Sequence, residues 1–197
     1  MLNKINKFKD IWNRFVGKGI YPHELSFLLD TQLRKLILSP KQLSNYLHLQ
    51  ENSIVLEIGS GPGYFSAEVA KRIPNGFIII FDIQKEMLLR AGKKIKNKNL
   101  NNGFLLQGNA ERLPFLQRQF NIVFLVTVLG EIIDIENCIK SIYEILDFGG
   151  ILSITEMKGD PDFLSFDKIN NLVTNYNFKL LDKFESKNGI TINFKKV

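Results

Sequence analysis

The sequence predicts an α/β protein built on a doubly wound, mostly parallel sheet of seven strands, finished by an antiparallel hairpin and preceded by a helical extension. Three observations carry that reading. An apolar, β-branched run at 54–58 empties into glycines and then into a helical pattern. Further apolar runs at 77–82, 104–107, 120–129 and 151–155 alternate with helical stretches, as parallel strands joined by crossover helices require. Finally, 178–185 and 190–195 alternate in hydrophobicity about Ser186-Lys187-Asn188-Gly189, the pattern of a hairpin turning at Asn188-Gly189.

The first fifty residues read as helices ahead of that core, and the domain proper as 51–197. Leu2, Ile5, Phe8, Ile11, Trp12, Phe15 and Val16 share one helical face, with Lys4, Lys7, Lys9 and Arg14 elsewhere. Such a basic amphipathic helix packs on its own domain, covers a pocket as a lid, or makes transient contact with a membrane surface, and the pattern leaves all three open. Pro22 can open a second helix carrying Leu25, Leu28, Leu29, Leu33, Leu36 and Ile37, with His23 at its start. Ser39 is placed to cap a short helix running to Leu47.

In the core, the helix after the glycines is expected over 64–73, with Phe65, Val69 and Ile73 at helical spacing before Pro74-Asn75-Gly76. The run 77–82 is apolar throughout, as a central parallel strand should be, and closes on Asp82. A helix over 85–96 ends in the basic stretch 93–98, which has no interleaved aromatics. A solvated helix end explains that stretch better than a nucleic-acid patch does. A helix over 135–147 leads through Asp147-Phe148-Gly149-Gly150 into the strand at 151–155, and a last helix covers 165–176.

Composition narrows the classes. A chain of 197 residues with 45% apolar content suits one soluble globular domain, and its net charge of +6 is spread out. Cys138 is the lone cysteine, which excludes an intramolecular disulfide and a zinc site made of cysteines; its helical setting predicts a buried thiol, and no metal site is expected. With no run of eighteen apolar residues and no secretory signal pattern, the expected location is cytoplasmic.

The function is written around Ile54-Val55-Leu56-Glu57-Ile58-Gly59-Ser60-Gly61-Pro62-Gly63-Tyr64. Glycines let a backbone turn tightly and approach a ligand. A dinucleotide fingerprint spaces them Gly-x-Gly-x-x-Gly. Here the third glycine arrives one residue early, and Tyr64 stands in its place. Glu57, two residues before the first glycine, would oppose a pyrophosphate but suits a cationic amino group. A carboxylate such as Asp82, about twenty residues on, can accept hydrogen bonds from two ribose hydroxyls in either kind of site.

On these residues the chain resembles class I S-adenosylmethionine-dependent methyltransferases, and within them the small-molecule branch that includes ubiquinone and menaquinone methyltransferases. The resemblance implies a Rossmann-like fold with S-adenosyl-L-methionine as cofactor. It assigns Glu57 to the methionine end, Gly59, Ser60, Gly61 and Gly63 to the loop, and Asp82 to the ribose. Ile83 falls beside the adenosine, and Asn109 and Ala110 at the adenine, where the family usually has an aspartate in place of Asn109. At the carboxyl end of the fourth strand, Thr127 joins the cofactor set, while Glu131 is a base, an anchor for a substrate ammonium, or simply a helix-terminal charge. Glu131 and His23 are the catalytic candidates. The implied partner is a small acceptor, with a homodimer allowed and nucleic acid disfavoured because no Asn-Pro-Pro-Tyr or Asp-Pro-Pro-Tyr sequence occurs. Three other classes make distinct predictions: an NAD-dependent oxidoreductase, a non-catalytic S-adenosylmethionine-binding protein and an RNA methyltransferase.

Overall fold

The computed structural model describes residues 38–197. The expectations for the amphipathic N-terminal helix, the segment around Pro22 and His23 lie outside the described residues.

Seven strands form one sheet in the order β3-β2-β1-β4-β5-β7-β6. They are β1 (Ile54–Ile58), β2 (Phe77–Asp82), β3 (Gly103–Gln107), β4 (Phe120–Val126), β5 (Leu146–Met157), β6 (Phe178–Ser186) and β7 (Gly189–Lys196). β1 through β5 pair in parallel, and β7 pairs antiparallel with both β5 and β6. The chain winds outward from β1 to β3 and then returns to lay β4 against the other side of β1. That reversal between β1 and β4 is the switch point at which such sheets open a crevice beyond their carboxyl ends.

The helices divide between the two faces as strand alternation demands. Helices α1 (Pro40–Tyr46), α2 (Ser66–Arg72) and α3 (Lys85–Asn97) bury Leu43, Val69, Leu88 and Ala91 with Val55, Ile78 and Phe124. On the opposite face α4 (Ile135–Ile145) and α5 (Phe166–Thr174) bury Ile139, Ile142, Ile169 and Val173 with Leu56, Val123, Leu152 and Ile154. Ser39 caps α1 by accepting from the Gln42 N–H at 3.1 Å. Leu43 and Leu47 are fully buried, so this segment is part of the same core. Tyr46 stacks on Phe184 with ring centroids 3.9 Å apart, and its carbonyl accepts from Asn193 Nδ2 at 2.7 Å.

Several boundaries depart from the periodicity. The helix expected over 64–73 begins only at Ser66, because the turn continues through Tyr64 and Phe65. β4 stops at Val126 instead of running to 129, since Thr127 adopts a left-handed backbone (φ 54) and a 3-10 turn, Leu129–Glu131, follows. The expected cap turn at 147–150 is the irregular start of β5, with Gly149 at φ 74 and a register shift opposite Phe120 and Ile122. The hairpin turns at Lys187 and Asn188, and Gly189 is already the first residue of β7. A Cβ there would stand 2.4 Å from the Glu156 carbonyl oxygen, so close pairing with β5 excludes larger residues.

One side chain closes the end of α2. Asn102 Nδ2 donates to the carbonyls of Ala70 at 2.9 Å and Ile73 at 2.8 Å, which have no intrahelical donors. Asn102→Ala should therefore cost about 1–3 kcal/mol of stability, read as a lower denaturation midpoint. An unchanged midpoint would mean that water serves those carbonyls equally well.

Candidate functional site

The loop after β1 is held shut by backbone hydrogen bonds to β2. Gly59 and Ser60 N–H both donate to the Phe81 carbonyl, at 2.8 and 3.1 Å, and Gly63 N–H donates back to the Ser60 carbonyl at 3.1 Å. Gly59, Gly61 and Gly63 all sit at positive φ (67, 52 and 73), a conformation that costs other L-residues a clash at Cβ. At two of the three, the close approach is to the protein itself. A Cβ on Gly59 would lie 2.4 Å from Val128 Cγ2, and one on Gly63 would lie 2.7 Å from Ala91 Cβ. These glycines let the loop nest against the β4 exit and α3.

Asp82 is the organising acid. One carboxylate oxygen accepts from Gly61 N–H at 2.8 Å and the other from Gln84 N–H at 2.8 Å. Burial pushes its pKa up, while the N–H groups of Gln84, Gly61 and Ile83 hold it down. Asp82 thus joins the glycine loop to the start of α3 and keeps lone pairs for a ligand. Glu57, expected at the strand exit, is inside the ladder opposite Ile80 and Phe124. It is buried and accepts a hydrogen bond from the hydroxyl of Ser66, the first residue of α2. Two buried carboxylates on adjacent strands make the loop a poor cradle for a pyrophosphate.

Ile83 is exposed immediately after Asp82, and its carbonyl accepts from Gln107 Nε2 at 3.0 Å, which brings the ends of β2 and β3 together. Asn109 Oδ1 accepts from the Glu111 N–H at 2.9 Å, so the asparagine makes the local turn an aspartate would also make. Ala110 packs against the core beside it. Across the mouth, Thr127 N–H donates to the Thr155 carbonyl at 2.8 Å and its hydroxyl to the Val126 carbonyl at 2.7 Å. A β-branched residue at positive φ is strained, and these two bonds hold it there.

The structure therefore gathers Gly59, Ser60, Gly61, Gly63, Asp82 and Ile83 in one direct network, with Asn109 and Ala110 on the next loop and Thr127 across the β4 exit. Glu131 belongs to a different group, the acids around Glu156. Glu156 is the residue the strand pattern undervalued. It is buried near the end of β5, and burial, reinforced by Asp160 and then by Glu131 and Asp162, raises its pKa to about 8 against the opposing Leu164 N–H. A carboxylate closing an apolar strand was its only sequence signal. Cys138 is fully buried, and burial with Glu111 and Asp134 nearby pushes its thiol to about 12, which makes it inert. Among the described residues no cluster of three or more His, Cys, Asp or Glu is arranged to hold a metal, and no helix is long and apolar enough to cross a membrane.

Residues 49–191 match a family model described as a methyltransferase domain. The ubiquinone/menaquinone biosynthesis C-methyltransferase UbiE of Haemophilus ducreyi is 32% identical over 141 residues, which cover 71% of this chain and 52% of that protein. The chain thus spans about half the length of that relative. YrhH of Bacillus subtilis is 27% identical over 162 residues, 81% of this chain and 82% of its own length. The crystal structure of a SAM dependent methyltransferase from Aquifex aeolicus matches with a TM-score of 0.84 at 18% identity, covering 90% of this chain and 100% of that one. The chain belongs to the methyltransferase-domain family, and its fold is that of the class I S-adenosylmethionine-dependent enzymes.

Proposed function

We propose that the protein is an S-adenosylmethionine-dependent methyltransferase that moves a methyl group to a small, partly hydrophobic acceptor by in-line displacement. The observation that carries this reading is the Asp82–Gly61 hydrogen bond at the switch point, with Glu57 buried behind the same loop. The residues present fit the cofactor. Asp82 has acceptor capacity left for ribose hydroxyls, Ile83 offers an exposed apolar side chain to adenine, and Glu57 supplies the anion that a methionine ammonium needs, directly or through a water. Asn109 and Ala110 would flank the adenine, and Thr127 would border the methionine end.

Bound S-adenosylmethionine supplies a methyl on a positively charged sulfur that leaves as a neutral thioether. Little acid or base help is needed for that departure, so the protein's contribution is alignment and exclusion of water. Relatives named for quinone biosynthesis support a partly hydrophobic acceptor.

Purified protein incubated with methyl-labelled S-adenosylmethionine and cell extract should yield one labelled small molecule by mass spectrometry. No transfer despite cofactor binding would favour a non-catalytic binding protein, and label in RNA a nucleic-acid substrate. Asp82→Ala should weaken cofactor binding at least about a hundredfold by calorimetry, because two hydrogen bonds to a charged acceptor are each worth about 1.5–3 kcal/mol. Unchanged affinity would remove Asp82 from the site, and tight NADH binding would redirect the reading to a dehydrogenase.

A further inference from the structure

Glu156 combines deep burial with an unmet hydrogen bond. It is 1% exposed, and its Oε1 has no partner. Because Thr127 N–H donates to the Thr155 carbonyl, Glu156 is the first β5 residue past the last bond to β4, at the carboxyl edge where the proposed site opens. Leu152 and Ile154 face the α4 and α5 side, and strand alternation puts Glu156 on that side too. Two segments bear on it there, the loop 158–165 and the 3-10 turn Leu129–Glu131. They pack so tightly that a Cβ on Gly130 would stand 1.9 Å from the Asp162 carbonyl oxygen.

The charged groups that bear on Glu156 among the described residues are all acids: Asp160 and Asp162 from the loop and Glu131 from the turn. A residue kept only for packing would be apolar here, since a buried acceptor without a donor destabilises the fold. The arrangement suits a carboxyl that waits for a donor from outside the chain.

We propose that Glu156 is a catalytic residue that binds a protic methyl acceptor and takes its proton. The acceptor's O–H or N–H donates to Oε1. As the acceptor atom bonds to the methyl carbon, the carbon–sulfur bond breaks with its electron pair staying on sulfur, and the acceptor's proton passes to the carboxylate. A sulfonium and a carboxylate are converted to a neutral thioether and a neutral acid, which a site sheltered from water favours. Entry to Oε1 needs a shift of the loop 158–165. Gly159, at φ 93 with no atom within 4 Å of an added Cβ, is its natural turning point.

This inference rests on the methyl-transfer reading above, and the experiment separates the two. Wild type, Glu156→Gln and Glu156→Asp are given methyl-labelled S-adenosylmethionine and the small-molecule fraction of a cell extract from about pH 6 to 9, with cofactor affinity measured in parallel. The wild-type rate should climb about tenfold per pH unit and level off near 8, following ionisation of Glu156. Glu156→Gln should lose at least about a hundredfold in rate with cofactor affinity unchanged, and Glu156→Asp should recover part of it. Infrared spectroscopy supplies a readout independent of the acceptor: a protonated-carboxyl band present at pH 6 should fade through pH 8 in wild type and be absent in Glu156→Gln. Wild-type rate and pH profile in Glu156→Gln, or no such band in wild type, would overturn the assignment. A wild type that binds cofactor and methylates nothing would overturn the methyl-transfer reading, and this assignment with it.

Discussion

Glu156→Gln should unfold at higher denaturant than wild type at pH 9, with a gap of several kcal/mol that closes at acid pH. The sign follows from linkage. The carboxyl has an ordinary value of 4.5 when exposed in the unfolded chain and about 8 when buried beside Asp160, Glu131 and Asp162. The folded state therefore holds the proton more tightly. That contribution to stability is fully present below about 4.5 and is lost as pH rises toward 8. At about 1.4 kcal/mol per pH unit, the full loss is on the order of 5 kcal/mol. Glutamine is neutral at every pH and nearly isosteric, so it should match the protonated acid at low pH and avoid the penalty above it. The raised pKa of Asp82 tilts both curves in the same direction, so only their difference reports on Glu156. Denaturant titrations at pH 5 and 9 settle the matter. Parallel curves for the two proteins would mean that Glu156 is not held protonated.

Gly63→Ala should destabilise the protein by about 2–5 kcal/mol and lower its melting temperature by about 5 °C or more. Two costs add. At φ 73 any Cβ is strained, which is worth roughly 1–2 kcal/mol. The new methyl would also meet Ala91 Cβ at 2.7 Å and Ala91 Cα at 2.8 Å. The second atom is helix backbone and cannot rotate away, so either α3 or the loop must shift, at about 1–3 kcal/mol. A compensating Ala91→Gly should recover the contact cost and leave the conformational one, a coupling that a double-mutant cycle measures. Because the same loop presents Gly61 to Asp82, weaker S-adenosylmethionine binding should accompany the loss. A melting temperature equal to wild type would show that the loop is looser than its contacts imply.

Much of the architecture was legible in the chain because it is written in short-range periodicity. Apolar runs bounded by glycine, proline and asparagine marked all seven strands, and the carboxylate closing the second marked Asp82. The reading failed at residues whose conformation depends on distant partners. β4 ends at Thr127, whose left-handed backbone is held by the Thr155 carbonyl from the neighbouring strand. β7 slides between β5 and β6, so the last strand in sequence is not the last in space. The glycines that read as a ligand cradle proved at Gly59 and Gly63 to be tuned to Val128 and Ala91, residues far away in the chain.

Glu57 and Glu156 are both buried acids on parallel strands, yet they face opposite situations. Glu57 has Ser66 beside it only nine residues on, and its neighbourhood is encoded locally in the strand–loop–helix unit. Glu156 acquires its character from Asp160, Asp162 and Glu131 together with the loss of solvent, and Glu131 sits on a different strand's exit. By itself, then, the sequence determined the order of elements, the glycine turn and the acid that meets it, since each depends on residues a few positions apart. Tertiary structure alone decided which acid is protonated and which glycine is irreplaceable. Desolvation and steric contact are set by whatever segment closes over a residue, and the folded chain brings that segment from elsewhere.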